Sequence, residues 1–93
     1  MTVGVLTIEI LIPSSSSLKD KRMVLNRIKD RTRKKYNVSV AETNYTEKWQ
    51  RSELAFALVS GQHGYVEKIL NKLFTQLDSD DMYQIIRYQV EYK

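Results

Sequence analysis

Apolar and polar positions alternate from Thr2 to Ile12, with Leu6, Ile8, Ile10 and Ile12 on one face and Val5, Thr7, Glu9 and Leu11 on the other. That period predicts a first strand, and apolar residues on both faces suit a central one. Pro13 withholds an amide from the ladder and stops it. After the serines Ser14 to Ser17 the period changes. Leu18, Val24, Leu25, Ile28, Thr32 and Tyr36 recur at helical spacing, and Ser17-Leu18-Lys19-Asp20 has the spacing of a capping box, so a helix is expected from Leu18 to Tyr36 with Met23 towards solvent. Asn37 to Tyr45 and Trp49 to Ser60 read as a hairpin of two strands joined by Thr46-Glu47-Lys48, with Val38, Val40, Leu54, Phe56 and Leu58 inward. Gly61-Gln62-His63-Gly64 breaks the pattern. Tyr65, Val66, Ile69, Leu70, Leu73 and Leu77 then form a second amphipathic helix, ended by Asp78-Ser79-Asp80-Asp81. Tyr83 to Tyr92 alternates again as a fourth strand, with Ile86, Tyr88 and Val90 opposite Ile85, Arg87, Gln89 and Glu91.

The order βαββαβ with two right-handed crossovers predicts an α+β, ferredoxin-like fold: a four-stranded antiparallel sheet in the spatial order 4-1-3-2, with two helices on one face. The expected core is Leu6, Ile8, Ile10, Leu25, Ile28, Leu54, Phe56, Ile69, Leu73 and Val90. The open face is expected to carry Thr7, Glu9, Ser39, Ala41, Thr43, Ala55, Ala57, Ile85 and Arg87, which offers no aromatic platform for stacking bases.

A chain of 93 residues gives one domain, spanning 1–93, and 42% hydrophobic residues suffice for a core. There is no cysteine, which excludes a thiolate metal site, a cysteine nucleophile and disulfides. The N-terminus enters the first strand without a basic leader or long apolar run, so a cytoplasmic protein away from membranes is expected. The net charge of +4 is unevenly spread. Nine basic residues lie between Leu18 and Tyr36 against Asp20 and Asp30, a local balance of +7, and the rest of the chain carries −3.

Three blocks, Ser17-Leu18-Lys19-Asp20-Lys21-Arg22, Asn37-Val38-Ser39-Val40-Ala41-Glu42 and Trp49-Gln50-Arg51, resemble in order and spacing the YlxP-like family of small bacterial proteins, along essentially the whole chain. The resemblance implies a ferredoxin-like fold, a cytoplasmic location and a domain of unknown function, and supplies no catalytic residues. It also points to work on the ribosome or on RNA, because genes of this family commonly lie beside those of a translation initiation factor and a ribosome-maturation factor.

Clustered Lys and Arg can neutralise phosphates and release counterions, so Lys19, Lys21, Arg22, Arg27, Arg31, Arg33 and Lys34 are candidate nucleic-acid-binding residues. The alternative is a solvated helix whose last-turn Arg33, Lys34 and Lys35 complement its dipole. Lys21 projects beside the apolar stripe. It either snorkels out of the rim by its stem or joins Arg22 in an anion site. Trp49 and Arg51 could grip a base; structurally, Trp49 would close the core and Arg51 would pair with Glu42 or Glu53. His63, the sole histidine, is a poor basis for a triad or metal site, and no phosphate-loop motif follows a strand.

These readings make the expected function a non-catalytic binding protein without a cofactor, working on ribosomal RNA or the ribosome through its basic first helix. The alternative is a homodimeric interaction module that associates through the small-residue sheet face or an edge strand.

Overall fold

The computed structural model describes all 93 residues, Met1–Lys93. The elements are β1 (Thr2–Leu11), α1 (Leu18–Lys35), β2 (Ser39–Asn44), β3 (Arg51–Ser60), α2 (His63–Asp78) and β4 (Gln84–Tyr92). They build one antiparallel sheet in the order β2-β3-β1-β4. This is the ferredoxin-like arrangement expected from the hydrophobic pattern. β1 lies inside the sheet, which explains why both of its faces are apolar.

Leu6, Ile8 and Ile10 of β1 stand opposite Phe56, Leu54 and Ser52 of β3. Apart from the buried Ser52, these residues belong to one apolar cluster with Val24, Leu25 and Ile28 of α1 and Val66, Leu70, Leu73 and Leu77 of α2. α1 starts where the sequence places it, because the Ser17 hydroxyl accepts from the Asp20 amide at 3.1 Å. The reciprocal half of the capping box is displaced by one residue. The Asp20 carboxylate takes the Ser16 amide and hydroxyl at 3.0 and 2.8 Å, and these bonds hold its pKa below the ordinary carboxylate value.

β4 departs from expectation in two ways. The register slips between Glu9 and Ile10, so that Glu9 faces Arg87 while Ile10 faces Ile85. The extra residue at Ile86 turns Ile85 off the open face and packs it against the core. In addition, Val90 is 38% exposed rather than buried, because α2 rests on β1 and β3 and leaves this edge strand overhanging. Ile69, also expected in the core, is only partly buried at its margin.

Gly4 faces the helices opposite Leu58, and a Cβ placed there would overlap the Val66 and Leu70 side chains of α2. Gly4→Ala should therefore destabilise the protein by about 1–3 kcal/mol through overpacking. Gly64→Ala, which meets nothing within 4 Å inside α2, should be neutral or stabilising. Urea midpoints of the two variants check the contrast.

Candidate nucleic-acid interface

The basic helix is anchored by one of its own cations. Lys21 lies on the same face as Val24, Leu25 and Ile28 and is 1% exposed. Its ammonium donates to the carbonyls of Lys48 at 2.7 Å, Tyr45 at 2.8 Å and Arg51 at 3.2 Å, with that of Thr46 at 3.4 Å, and pairs with Glu42 Oε2 at 2.8 Å. The link between β2 and β3 supplies most of these oxygens. Tyr45 takes a left-handed φ of 61°, with its amide donating to the Asn44 side chain, so the turn folds its carbonyls inward over the helix. Glu42 is completed by the Ser52 hydroxyl, which donates to the same oxygen at 2.6 Å.

Lys21 is thus removed from the candidate binding surface. It neither snorkels outward nor forms an anion site, because converging turn carbonyls and a carboxylate satisfy the charge inside. Its position on the apolar stripe was the available signal; the carbonyls that meet it come from a turn whose conformation sequence spacing does not reveal.

Arg51 is also engaged, with a partner other than Glu42 or Glu53. Its guanidinium donates twice to Glu9 Oε2, at 3.1 and 2.6 Å, and stacks on the Tyr45 ring at 4.1 Å. Glu42 points to the helix side towards Lys21, and Glu53 accepts from the Thr43 hydroxyl at 2.7 Å, so Glu9 across the open sheet face is the carboxylate left for Arg51. These hydrogen bonds, opposed by desolvation, hold the Glu9 carboxyl below its ordinary pKa. Trp49 does not close the core. It is 56% exposed at the hairpin end, where neighbouring Gln50 donates to the carbonyls of Pro13 and Ser15 at 3.1 and 3.0 Å.

The remaining cations of α1 fall into two groups. On the flank towards α2, Arg27 donates to Asp80 Oδ2 at 2.7 Å and Arg31 approaches the same oxygen at 3.6 Å. Asp80 sits between α2 and β4, beside Tyr83, whose hydroxyl donates to the Leu77 carbonyl at 2.7 Å and whose burial raises its pKa. Arg27 is therefore a tie between elements, while Arg31 remains largely exposed. On the other flank Lys19, Arg22, Lys29 and Arg33 follow one another within roughly a quarter of the helix circumference and have no carboxylate within 4.0 Å. Lys34 and Lys35 are likewise unpaired and exposed at the C-terminal turn.

Beyond that turn, an open cleft of about 970 Å³ runs between Lys35, Tyr36, Tyr65, Ile69 and Lys72. His63 pairs with Glu67 at 3.0 Å on α2 and stacks on Tyr92, with centroids 4.7 Å apart. No three His, Asp or Glu side chains converge as metal ligands, and no helix is long and apolar enough to cross a membrane.

Residues 3–90 match the sequence profile of the family described as Protein of unknown function (DUF503). The chain is also similar to the uncharacterized protein YlxP of Bacillus subtilis (strain 168), at 39% identity over 77 residues, which cover 83% of this chain and 84% of the relative.

Two outcomes test this geometry. Lys21→Met should cost about 3–5 kcal/mol in urea unfolding, because it strands Glu42 and several turn carbonyls, and adding Glu42→Gln should restore part of the loss. Because the folded pKa of Glu9 is depressed, its contribution is complete above the ordinary value of 4.5 and is lost as pH falls through the folded value. Arg51→Gln should therefore flatten the acid side of the stability–pH curve.

Proposed function

This chain belongs to the family of proteins of unknown function DUF503, and on that premise we propose that it is a non-catalytic RNA-binding protein that grips phosphate through the free flank of α1. The observation that carries this reading is the row Lys19, Arg22, Lys29 and Arg33. Its ends lie 14 residue steps apart on one helix, a length of about 21 Å at 1.5 Å per residue. None of the four is neutralised by a carboxylate, whereas Lys21, Arg27 and Arg51 each are.

Such a row suits a phosphate backbone better than a compact anion, since its charges are spread along a line. Each phosphate contact releases condensed counterions, so the affinity comes from the number of charges engaged and falls with salt. Contacts of this kind position an RNA without reading its bases. Ribosomal RNA is the proposed partner, and the ribosome the proposed place of work. Lys34 and Lys35 add exposed charge at the C-terminal turn on other sides of the helix, Lys35 at the mouth of the cleft, and exposed Trp49 stands at the opposite end of the helix, after the Lys48 carbonyl that holds Lys21.

The test is a combined replacement of Arg22, Lys29 and Arg33 by Gln, which keeps good helix formers. Fluorescence anisotropy with a ribosomal RNA fragment should show weaker binding and a log–log salt slope shallower by up to about 0.7–0.9 for each lost contact. Arg27→Gln is the control. It should lower stability by about 1 kcal/mol through loss of the Asp80 tie and leave the slope unchanged. If the triple variant stays folded by circular dichroism and keeps its affinity and slope, the proposal is overturned.

A further inference from the structure

We propose that β4 is a pairing edge for a second copy of this chain, joining two sheets into one of eight strands through a two-fold axis at Gln89. The proposal is independent of the RNA reading. It starts from the unequal treatment of the two sheet edges. β2 has six residues, a register break between Glu42 and Asn44, and an Arg33 side chain at the Val40 carbonyl. β4 has nine residues, of which Arg87 to Tyr92 follow the bulge without further irregularity. It contains no proline or lysine of the kind that blunts an exposed edge. It also concentrates exposed apolar side chains: Ile86 is 46% exposed, Tyr88 59%, Val90 38% and Tyr92 42%.

The backbone pattern says which groups await a partner. Val3 and Lys93 exchange both of their hydrogen bonds, at 2.9 and 2.8 Å. By the alternation of an antiparallel ladder, Glu91, Gln89 and Arg87 then direct their amides and carbonyls to β1, while Tyr92, Val90 and Tyr88 direct theirs outward. Two copies of β4 meeting antiparallel about Gln89 place Tyr88 opposite Val90 of the second copy, where their outward groups exchange hydrogen bonds. The same register sets Arg87 opposite Glu91 of the second copy, twice by symmetry. It also sets Ile86 opposite Tyr92 of the second copy.

Neighbouring registers lose this match. An axis at Tyr88 puts Arg87 opposite Gln89, and an axis at Val90 sets Arg87 against Lys93. Opposite charges directly across a pair stabilise it and like charges oppose it, so the sequence selects the Gln89 axis. Tyr88, already against Phe74 of α2 with centroids 4.5 Å apart, then floors the space between the two α2 helices together with Val90.

The chain has no cysteine, so single introduced cysteines report the register directly. At the axis, Gln89 and its counterpart form a narrow pair with Cα atoms about 4.5 Å apart, within disulfide reach. Arg87 lies four residues from its own counterpart, about 13 Å away. On mild oxidation, Gln89→Cys should give a cross-linked dimer on the order of tenfold faster than Arg87→Cys. Val90→Pro removes an outward amide that β1 does not use, so it should leave a folded monomer in sedimentation equilibrium where the parent chain is a dimer. If Val90→Pro fails to fold, the cysteine comparison decides. The proposal is overturned by a parent chain that stays monomeric at the highest soluble concentration, by equal cross-linking of the two cysteine variants, or by a folded Val90→Pro variant that remains dimeric.

Discussion

The buried ammonium of Lys21 is the constraint on which the arrangement of this protein turns. A charge at 1% exposure is tolerable only where oxygen atoms replace its water, and here they come from a carboxylate and from carbonyls on both sides of one turn. The polar ties between the helix and the hairpin therefore converge largely on one nitrogen, beside the apolar core that both share. The carbonyl of Lys48 finds a donor in Lys21, the carbonyl of Tyr45 accepts from it in addition to the Lys48 amide at 3.0 Å, and the Tyr45 conformation is held by the contact it enables. The same anchoring fixes the rotation of α1 about its axis, and with it which of the other cations face outward.

The helix is accordingly less uniform than its charge suggests. Three nearby or resident cations hold the fold together: Lys21 to the hairpin, Arg27 to the segment after α2, and Arg51 to Glu9 beneath the Tyr45 ring. Each lies where a carboxylate is part-buried and its partner charge is needed. Four of the unpaired cations, Lys19, Arg22, Lys29 and Arg33, collect on the flank away from Asp80, whereas Lys34 falls in line with Arg27 and Arg31. This partial separation of structural and surface charge around the helix is hidden in a count of +7.

The strand and helix periods of the sequence predicted the element order, the central place of β1 and most of the core, because inward rows of Leu, Ile and Phe repeat at the spacing their elements require. The faces of β4 were less legible. A single extra residue at Ile86 exchanges the faces on its two sides, and alternation alone gives no sign of where such a slip falls. The spacing of Val90 suits a core position, yet burial also needs a helix overhead, and α2 lies mainly over β1 and β3 and reaches β4 through the Phe74 and His63 side chains. The partners of Lys21 and Arg51 were out of reach for a related reason: they depend on a turn with φ of 61° and on which side of the sheet each glutamate emerges.

The central position of β1 also bears on the timing of folding during synthesis. β1 is made before both of its neighbours, yet Thr2 pairs with Ser60 and Gly4 with Tyr92, so neither flank can close until much later segments have appeared. α1 and the β2–β3 hairpin involve closer contacts, and Lys21 can join them before the last strand exists. The nascent chain therefore carries a strand that is apolar on both faces through most of its elongation, exposed to wrong pairings until β3 and then β4 enclose it.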